Sequence, residues 1–201
     1  MGREAMDDLA RRRRDKEANS EFYQVLGHPH ALRSRDIKVG DLVKIAKNQR
    51  VPADLMLLRT GDGTGEAFIR TDQLDGETDW KLKTALGVTQ SLSEEDLVLS
   101  KNLQVTAEPP ARDIHKFSGK LTQLTVEAGG GARDYGVGID RMMWANTVLA
   151  SGPYVVGVVV YTGTETRQAQ NTSKARVKFG LLEHEINNLS KVQYRLGRLL
   201  N

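Results

Sequence analysis

The 201-residue sequence contains no cysteine, and this absence excludes several classes of chemistry at once. Disulfide scaffolds, thiolate zinc sites, iron–sulfur clusters and thiol nucleophiles all require the missing side chain. Aromatic residues make up only 5% of the chain, which disfavours a nucleic-acid platform built on base stacking. The histidines are too scattered to suggest a metal cluster; they are His28, His30, His115 and His184. We therefore expect no resident metal, no cofactor and no nucleic-acid partner.

The sequence also lacks a large excess of positive or negative charge, because its net charge is only +3. The basic and acidic residues are nevertheless distributed unevenly along the chain. Residues 1–50 carry 12 basic and 8 acidic side chains, and residues 163–201 carry 7 and 3. The middle of the chain, residues 51–162, carries 10 basic and 15 acidic side chains. Basic ends around an acidic middle fit ends that approach an anionic surface or the cytoplasmic side of a membrane. Solvated helix ends explain the same pattern equally well.

One uncharged stretch, from Met142 to Thr164, is long enough to cross a bilayer. Ser151-Gly152-Pro153 interrupts it near its middle. The valines between Val155 and Val160 are β-branched, and such residues favour strand over helix. We predict two buried strands around a turn in this stretch, and no membrane helix.

Elsewhere, short apolar segments separated by turn residues predict a compact β domain between two helical ends. Further strands are expected at 55–58, 67–71, 103–107 and 115–124. The turn Gly61-Asp62-Gly63-Thr64-Gly65 is typical of one that joins hairpin strands, and Gly129 lies in a flexible tip at 128–132. Helices are expected over 3–20, at a turn capped by Ser93, over 163–170 and from Leu181 onward. Together these elements predict a mainly β fold of jelly-roll or barrel type.

The densest polar cluster lies between Thr71 and Trp80, where four acidic residues fall within eight positions. Asp75-Gly76 predicts a tight turn, because glycine lets the backbone approach another surface closely. Glu77 is then expected to project, exposed, from a loop tip beside the hydroxyl of Thr78. A carboxylate so placed can orient a water molecule and accept its proton. For an isolated Asp-Gly-Glu segment, an acidic hairpin turn without function is the commoner explanation.

Several segments, taken in order, resemble the actuator domain of type IV P-type ATPases, the phospholipid flippases. The signature loop of that domain is similar to Leu74-Asp75-Gly76-Glu77-Thr78. The Thr78-Asp79-Trp80-Lys81 and Arg50-Val51-Pro52 segments look most like the type 9 subclass. The other matching segments are Val39-Gly40-Asp41-Leu42-Val43, Val51-Pro52-Ala53-Asp54, Asn146-Thr147-Val148-Leu149-Ala150-Ser151-Gly152, Val158-Val159-Val160-Tyr161-Thr162-Gly163 and the basic tract 171–180.

The resemblance implies a distorted jelly-roll actuator domain at 23–180, an N-terminal stalk helix at 1–22 and a C-terminal helix at 181–201 leading toward the membrane. It also implies that Glu77 positions and deprotonates the water that attacks an aspartyl-phosphate. Gly76 would allow close approach, and Asp75 and Thr78 would shape the loop. A rigid-body rotation of the domain would couple this hydrolysis to lipid passage.

The parent enzyme implied by the resemblance uses ATP and magnesium and translocates a phospholipid. Its actuator domain faces the cytoplasm and works with the phosphorylation domain and membrane helices of the same polypeptide, in a Golgi, endosomal or plasma membrane. The sequence contains no Asp-Lys-Thr-Gly phosphorylation motif, so we expect an excised, monomeric domain that neither hydrolyses ATP nor moves lipid by itself. Two alternatives stay open, the actuator domain of a cation pump and a non-catalytic β-rich binding module. Cation pumps more often carry Thr-Gly-Glu-Ser in this loop.

Overall fold

The computed structural model describes residues 19–75, 79–100, 102–124 and 131–172. The predicted C-terminal helix from Leu181 and all but the end of the predicted helix at 3–20 lie outside these ranges. The proposed domain boundary at 180/181 also lies outside them, so the end helices and that boundary stay predictions.

The described part of the chain is built mainly from antiparallel strands, which confirms the prediction of a mainly β fold. The strands are β1 (Phe22–Val25), β2 (Leu32–Arg33), β3 (Leu42–Ala46), β4 (Asp54–Thr60), β5 (Glu66–Arg70), β6 (Trp80–Thr84), β7 (Leu103–Ala107), β8 (Gly119–Leu124), β9 (Ala132–Val137), β10 (Met142–Met143), β11 (Val148–Leu149) and β12 (Tyr154–Tyr161). The α-helices are α1 (Asp72–Asp75), α2 (Gly87–Gln90), α3 (Glu94–Leu99) and α4 (Arg167–Asn171), and single 3-10 turns cover Ser34–Asp36, Ile139–Arg141 and Gly163–Glu165.

The described strands form three sheets with one large sheet in the middle. Its strand order is β10-β4-β12-β3-β1-β2, and the two smaller sheets run β11-β5-β6 and β7-β8-β9. Side chains alternate along a strand, so β4 contributes to a core on each face of the large sheet. Leu55 and Leu57 pack with Ile69 of β5, whereas Met56 and Leu58 pack with Leu121 of β8. This two-sided burial explains why β4 is a nearly continuous apolar run.

The uncharged stretch from Met142 to Thr164 contains β10, β11 and β12. The prediction of strand over membrane helix is therefore correct, although the stretch holds three strands and not two around a turn. β10 pairs with β4, β11 pairs with β5, and β12 lies between β3 and β4. Within the described ranges, none of the helices has the length and apolar character needed to span a membrane.

The prediction of a hairpin around the turn at 61–65 is wrong. β4 and β5 flank this turn, but they belong to different sheets. Both edges of β4 are already occupied, since β10 pairs with one edge and β12 with the other. The turn instead carries the chain from the large sheet to the small one, and Gly61 donates its backbone N–H to the carbonyl of Tyr154 at 2.9 Å.

Two smaller differences concern the third sheet and its surroundings. The strand expected from His115 begins only at Gly119, because the Asp113 carboxylate accepts the His115 N–H at 2.8 Å and holds a turn. β9 was not predicted, since five of its six residues are exposed or half-buried and lack apolar alternation.

The capped turn at Ser93 is confirmed as a capping box, in which the Ser93 hydroxyl accepts the Asp96 N–H at 3.0 Å. The short helix expected over 163–170 is present as a 3-10 turn followed by α4.

Candidate functional site

The acidic cluster predicted as the site lies in the connection between two paired strands. β5 and β6 are antiparallel neighbours whose register runs from Glu66 opposite Thr84 to Arg70 opposite Trp80. The two ends of the connection, residues 71 and 79, are therefore held close together by the last pair of the ladder. The connection therefore begins and ends at the same end of the β5–β6 hairpin.

The first half of the connection is ordered as a helical turn, where the sequence predicted a loop from Leu74 onward. α1 covers Asp72–Asp75, and the Leu74 N–H donates to the Thr71 carbonyl at 2.7 Å. Thr71 is buried and Leu74 packs against the core that contains Met56. The apolar side chain of Leu74 thus anchors the turn to the core. The polar composition of the surrounding segment does not indicate this anchoring.

Of the four predicted site residues, Asp75 is placed at the end of α1. Gly76, Glu77 and Thr78 lie outside the described residues, as does the side chain of Asp75. The roles assigned to these four residues stay predictions. Asp72 and Asp79, the acidic residues on either side of them, are exposed.

Two distant motifs meet at the base of this hairpin. β11, from the Asn146–Gly152 motif, pairs with β5 so that Val148 lies opposite Arg70. Val148 also forms a bridge with Arg50, whose guanidinium donates to the side-chain oxygen of Asn146. Asn146 has a φ of 69°, a left-handed conformation that asparagine tolerates better than most residues. The segments around Arg50 and Asn146, which are far apart in the sequence, are thus in contact next to β5.

A buried carboxylate, that of Asp54, ties the start of β4 to the segment between β10 and β11 and to α4. Its two oxygens accept backbone N–H groups from Ala145 and Arg167, both at 2.8 Å. The Asp54 side chain has no solvent exposure, and this burial raises its pKa to about 6 despite the two donors. In the sequence, Asp54 stands out only as part of the Val51-Pro52-Ala53-Asp54 segment, and its burial was not predicted.

Arg167, the first residue of α4, is the largest fully buried charged side chain in the described part of the chain. Its guanidinium pairs with the Glu108 carboxylate at 3.1 Å and lies 5.0 Å and 5.3 Å from the ring centres of Trp144 and Tyr161. Its Nε and Nη1 atoms have no hydrogen-bond partner among the described residues. The two aromatic rings therefore add cation–π contacts to the ion pair with Glu108. Together with Asp54, it fixes the start of α4 to the β domain.

Asp54 should make the free energy of unfolding depend on pH in the acidic range. Because the folded pKa of about 6 lies above the ordinary 3.8, the folded state binds more protons than the unfolded state between these values. Stability contributed by this group therefore increases as the pH falls. We expect wild type to gain about 2 kcal/mol relative to Asp54→Asn between pH 7 and pH 4.5. Urea unfolding at stepped pH measures this difference, and a constant difference would contradict it.

The described residues offer little other chemistry. They contain no group of three or more His, Asp or Glu side chains that could hold a metal ion. A cavity of about 210 Å³ lies between β3, β7 and α3, and its lining is apolar apart from Ser100. Since none of its lining residues is titratable, this cavity supplies no acid or base.

Comparison with known proteins gives many relatives, of which three are described here. The chain is 50% identical over 192 residues to the phospholipid-transporting ATPase NEO1 of Saccharomyces cerevisiae. It is 48% identical over 195 residues to the probable phospholipid-transporting ATPase tat-5 of Caenorhabditis elegans. It is 46% identical over 196 residues to the human probable phospholipid-transporting ATPase IIB. Each alignment covers 96% of this chain.

These relatives are much longer proteins, and the chain spans only 16–18% of their length. No protein-family model matches the chain. Among solved structures, that of a zinc-transporting PIB-type ATPase is similar at a TM-score of 0.41 and 12% identity, over 75% of this chain and 15% of that one. That likeness is too remote to bear on function.

Proposed function

This chain belongs to the type IV P-type ATPase family, the phospholipid-transporting ATPases, and we propose that it forms the actuator domain of such an enzyme. The observation that carries the proposal is the 46–50% identity to three phospholipid-transporting ATPases over nearly the whole chain. The segment Asp75-Gly76-Glu77-Thr78 is proposed as the loop that promotes hydrolysis of an aspartyl-phosphate. The aspartate that carries the phosphate belongs to a part of the polypeptide outside this chain.

Glu77 is proposed as the general base of this step. A carboxylate within hydrogen-bond reach of a water molecule can orient it in line with the phosphorus–oxygen bond and accept its proton as attack begins. The phosphoryl group passes to the water oxygen, and the aspartate leaves as a carboxylate. Since phosphoryl transfer needs mostly positioning and electrostatic stabilisation, a single well-placed base is sufficient.

The hairpin geometry supports this role. Because Arg70 and Trp80 are paired, the loop is attached to a rigid support at both ends. Gly76 carries no side chain, so the loop backbone at that position can approach a phosphate closely. A loop presented in this way can be inserted and withdrawn by rotating the whole domain.

The remaining parts of the reaction are assigned to the parent polypeptide. ATP and magnesium are used by its phosphorylation and nucleotide-binding parts, and the transported substrate is a phospholipid. Rotation of this domain, transmitted through the chain ends to membrane helices, couples hydrolysis to lipid passage. The domain faces the cytoplasm, and the membrane is of Golgi, endosomal or plasma type. The 201-residue chain itself is proposed to be monomeric and to have no ATPase activity.

Of the alternatives, an actuator domain of a cation pump shares the same chemistry but differs in the transported substrate. The three relatives are named for phospholipid transport, and this favours a lipid substrate. A binding module without catalytic function has no comparable support.

The transported substrate should accelerate decay of the phosphorylated form of the full-length polypeptide. We expect phospholipid in mixed micelles to speed the loss of labelled phosphate from the full-length protein, while potassium or calcium ions leave the rate unchanged. Radiolabelled phosphoenzyme, chased with unlabelled ATP, measures the decay. Acceleration by a cation and not by phospholipid would favour the cation pump. No phosphoenzyme at all would contradict both transport hypotheses.

A further inference from the structure

The strand β6 carries its side chains in the reverse of the usual pattern for a strand at a protein surface. The apolar residues Trp80 and Leu82 are exposed, whereas Lys83 faces inward and is only 5% exposed. Lysine is almost never fully buried unless it is paired, because removing an ammonium group from water is costly. A methionine of similar length would fill the same space without this cost. The benefit of the buried Lys83 therefore lies in the specific contacts that it makes.

The Lys83 ammonium binds to a turn that is distant in the sequence. Its Nζ donates to the carbonyl oxygen of Ile139 at 2.8 Å, in the 3-10 turn between β9 and β10. The same carbonyl accepts the backbone N–H of Met142, the first residue of β10. Thr84 adds a longer contact, from its hydroxyl to the Asp140 carboxylate at 3.4 Å. Two successive residues of β6 thus contact two successive residues of the turn.

This turn lies where the three sheets of the described chain meet. It follows β9 of one small sheet and leads into β10, which pairs with β4 in the large sheet. β6 belongs to the other small sheet, where it lies at the edge beside β5. Lys83 therefore attaches an edge strand to the rest of the domain. Because β6 begins directly after residue 79, the same contact holds the strand on which the chain leaves the proposed catalytic loop.

Lys83 is a charged donor at neutral pH. Burial lowers the pKa of its ammonium from the ordinary 10.5 to about 8; the nearby Asp140 carboxylate raises the pKa, and the Lys81 ammonium lowers it further. Below this value the group keeps its proton, and a hydrogen bond from a charged donor is roughly twice as strong as one between neutral groups. The Ile139 carbonyl therefore receives a strong, directional bond that an apolar side chain cannot provide.

We infer that Lys83 is a positioning residue for the proposed catalytic loop, because its buried ammonium fixes the strand that follows the loop to the turn where the three sheets meet. This inference rests on the proposed function. Lys83 is buried inside the domain, so it acts through the loop and does not touch the phosphate. A misplacement of about 1 Å in a reacting group can cost about a hundredfold in rate. Loss of the ammonium should therefore slow hydrolysis and spare the steps that do not use the loop.

Phosphoenzyme kinetics of matched variants of the full-length protein test this role. Lys83→Met should slow phosphoenzyme decay at least about tenfold and leave phosphoenzyme formation unchanged. Lys83→Arg keeps a charged donor and should restore most of the decay rate. Lys120→Met is the matched control, since Lys120 is an exposed lysine of β8 paired with Asp134, and it should decay at the wild-type rate. A wild-type decay rate in Lys83→Met would overturn the inference, as would equally slow decay in Lys83→Arg.

Hydrogen exchange in the 201-residue chain separates local positioning from general stability. In Lys83→Met we expect the backbone amides of β6 to exchange at least about fivefold faster, while those of β12 in the large sheet exchange as in wild type. Equal acceleration in both strands would make Lys83 a residue of general stability and overturn the inference.

Leu121→Ala provides the opposite control, because it removes a buried side chain from the core that lies against β8. It should destabilise the domain and leave the decay of the phosphoenzyme in the full-length protein unchanged. Decay slowed as much as in Lys83→Met would show that the rate follows overall stability, and would also overturn the inference.

The outcomes also distinguish this inference from the proposed function. If Glu77→Gln slows decay and Lys83→Met does not, the loop acts as proposed but Lys83 does not position it. If Glu77→Gln has no effect, the proposed function itself fails, and the inference about Lys83 fails with it.

Discussion

Glu77→Gln in the full-length polypeptide is expected to leave phosphoenzyme formation intact and to slow its decay at least about a hundredfold. The substitution keeps the size and hydrogen-bonding reach of the side chain, so the water molecule can still be bound. It removes the only group that the proposal assigns to accept the proton. The measurement is the decay of labelled phosphoenzyme after a chase with unlabelled ATP.

Glu66→Gln is the matched control, because Glu66 is an exposed carboxylate at the far end of the same hairpin. It should leave the decay rate unchanged. The sequence predicts that Glu77 is exposed, so in the 201-residue chain Glu77→Gln should shift the free energy of unfolding by no more than about 0.5 kcal/mol. Widely separated melting curves would make Glu77 a structural residue. An unchanged decay rate would mean that the water is activated elsewhere.

Trp144→Ala is expected to destabilise the 201-residue chain by roughly 3–5 kcal/mol, the usual cost of removing a large buried aromatic side chain. Trp144 is only 3% exposed. Its indole N–H donates to the Ile114 carbonyl at 3.1 Å, and its ring packs edge-on against Phe117 with 6.0 Å between ring centres. The same ring lies beside the buried guanidinium of Arg167, which would lose one of its two aromatic neighbours. Denaturant unfolding followed by circular dichroism measures the change.

The chain provides its own control for this prediction, because Trp80 is its other tryptophan and is 59% exposed. Trp80→Ala should change the free energy of unfolding by less than about 1 kcal/mol, since an exposed ring loses little on truncation. Equal destabilisation by the two substitutions would contradict the difference in burial.

Local sequence patterns were sufficient to predict about half of the described strands but not how they pair. The apolar run Leu55–Leu58 and the valines of β12 indicated buried strands, and β4 and β12 are neighbouring interior strands of the large sheet. The turn at 61–65 has ideal hairpin composition, yet its flanking strands lie in different sheets. Pairing depends on which strand edges are still available, and this is decided by β10 and β12, which follow much later in the chain.

The buried charges were also beyond the reach of the sequence. Arg167 lies in a short polar segment, where a charged residue is normally exposed, and only the tertiary arrangement places it between Trp144 and Tyr161. Asp54 gave a weak signal, since a carboxylate that leads directly into an apolar strand must be paired if it is buried. The predicted catalytic residues came from the resemblance of the loop, and the structure adds the paired strands on which that loop is held.

The central claim, that Glu77 acts on an aspartyl-phosphate, is tested most directly by one distance. The full-length protein should be trapped with aluminium fluoride, which mimics the phosphoryl group during transfer, and its structure determined at a resolution that shows water. We expect the Glu77 carboxylate to lie within about 2.6–3.2 Å of a water molecule in line with the bond to the aspartate. A loop that lies away from the aluminium fluoride, with another residue holding that water, would contradict the claim.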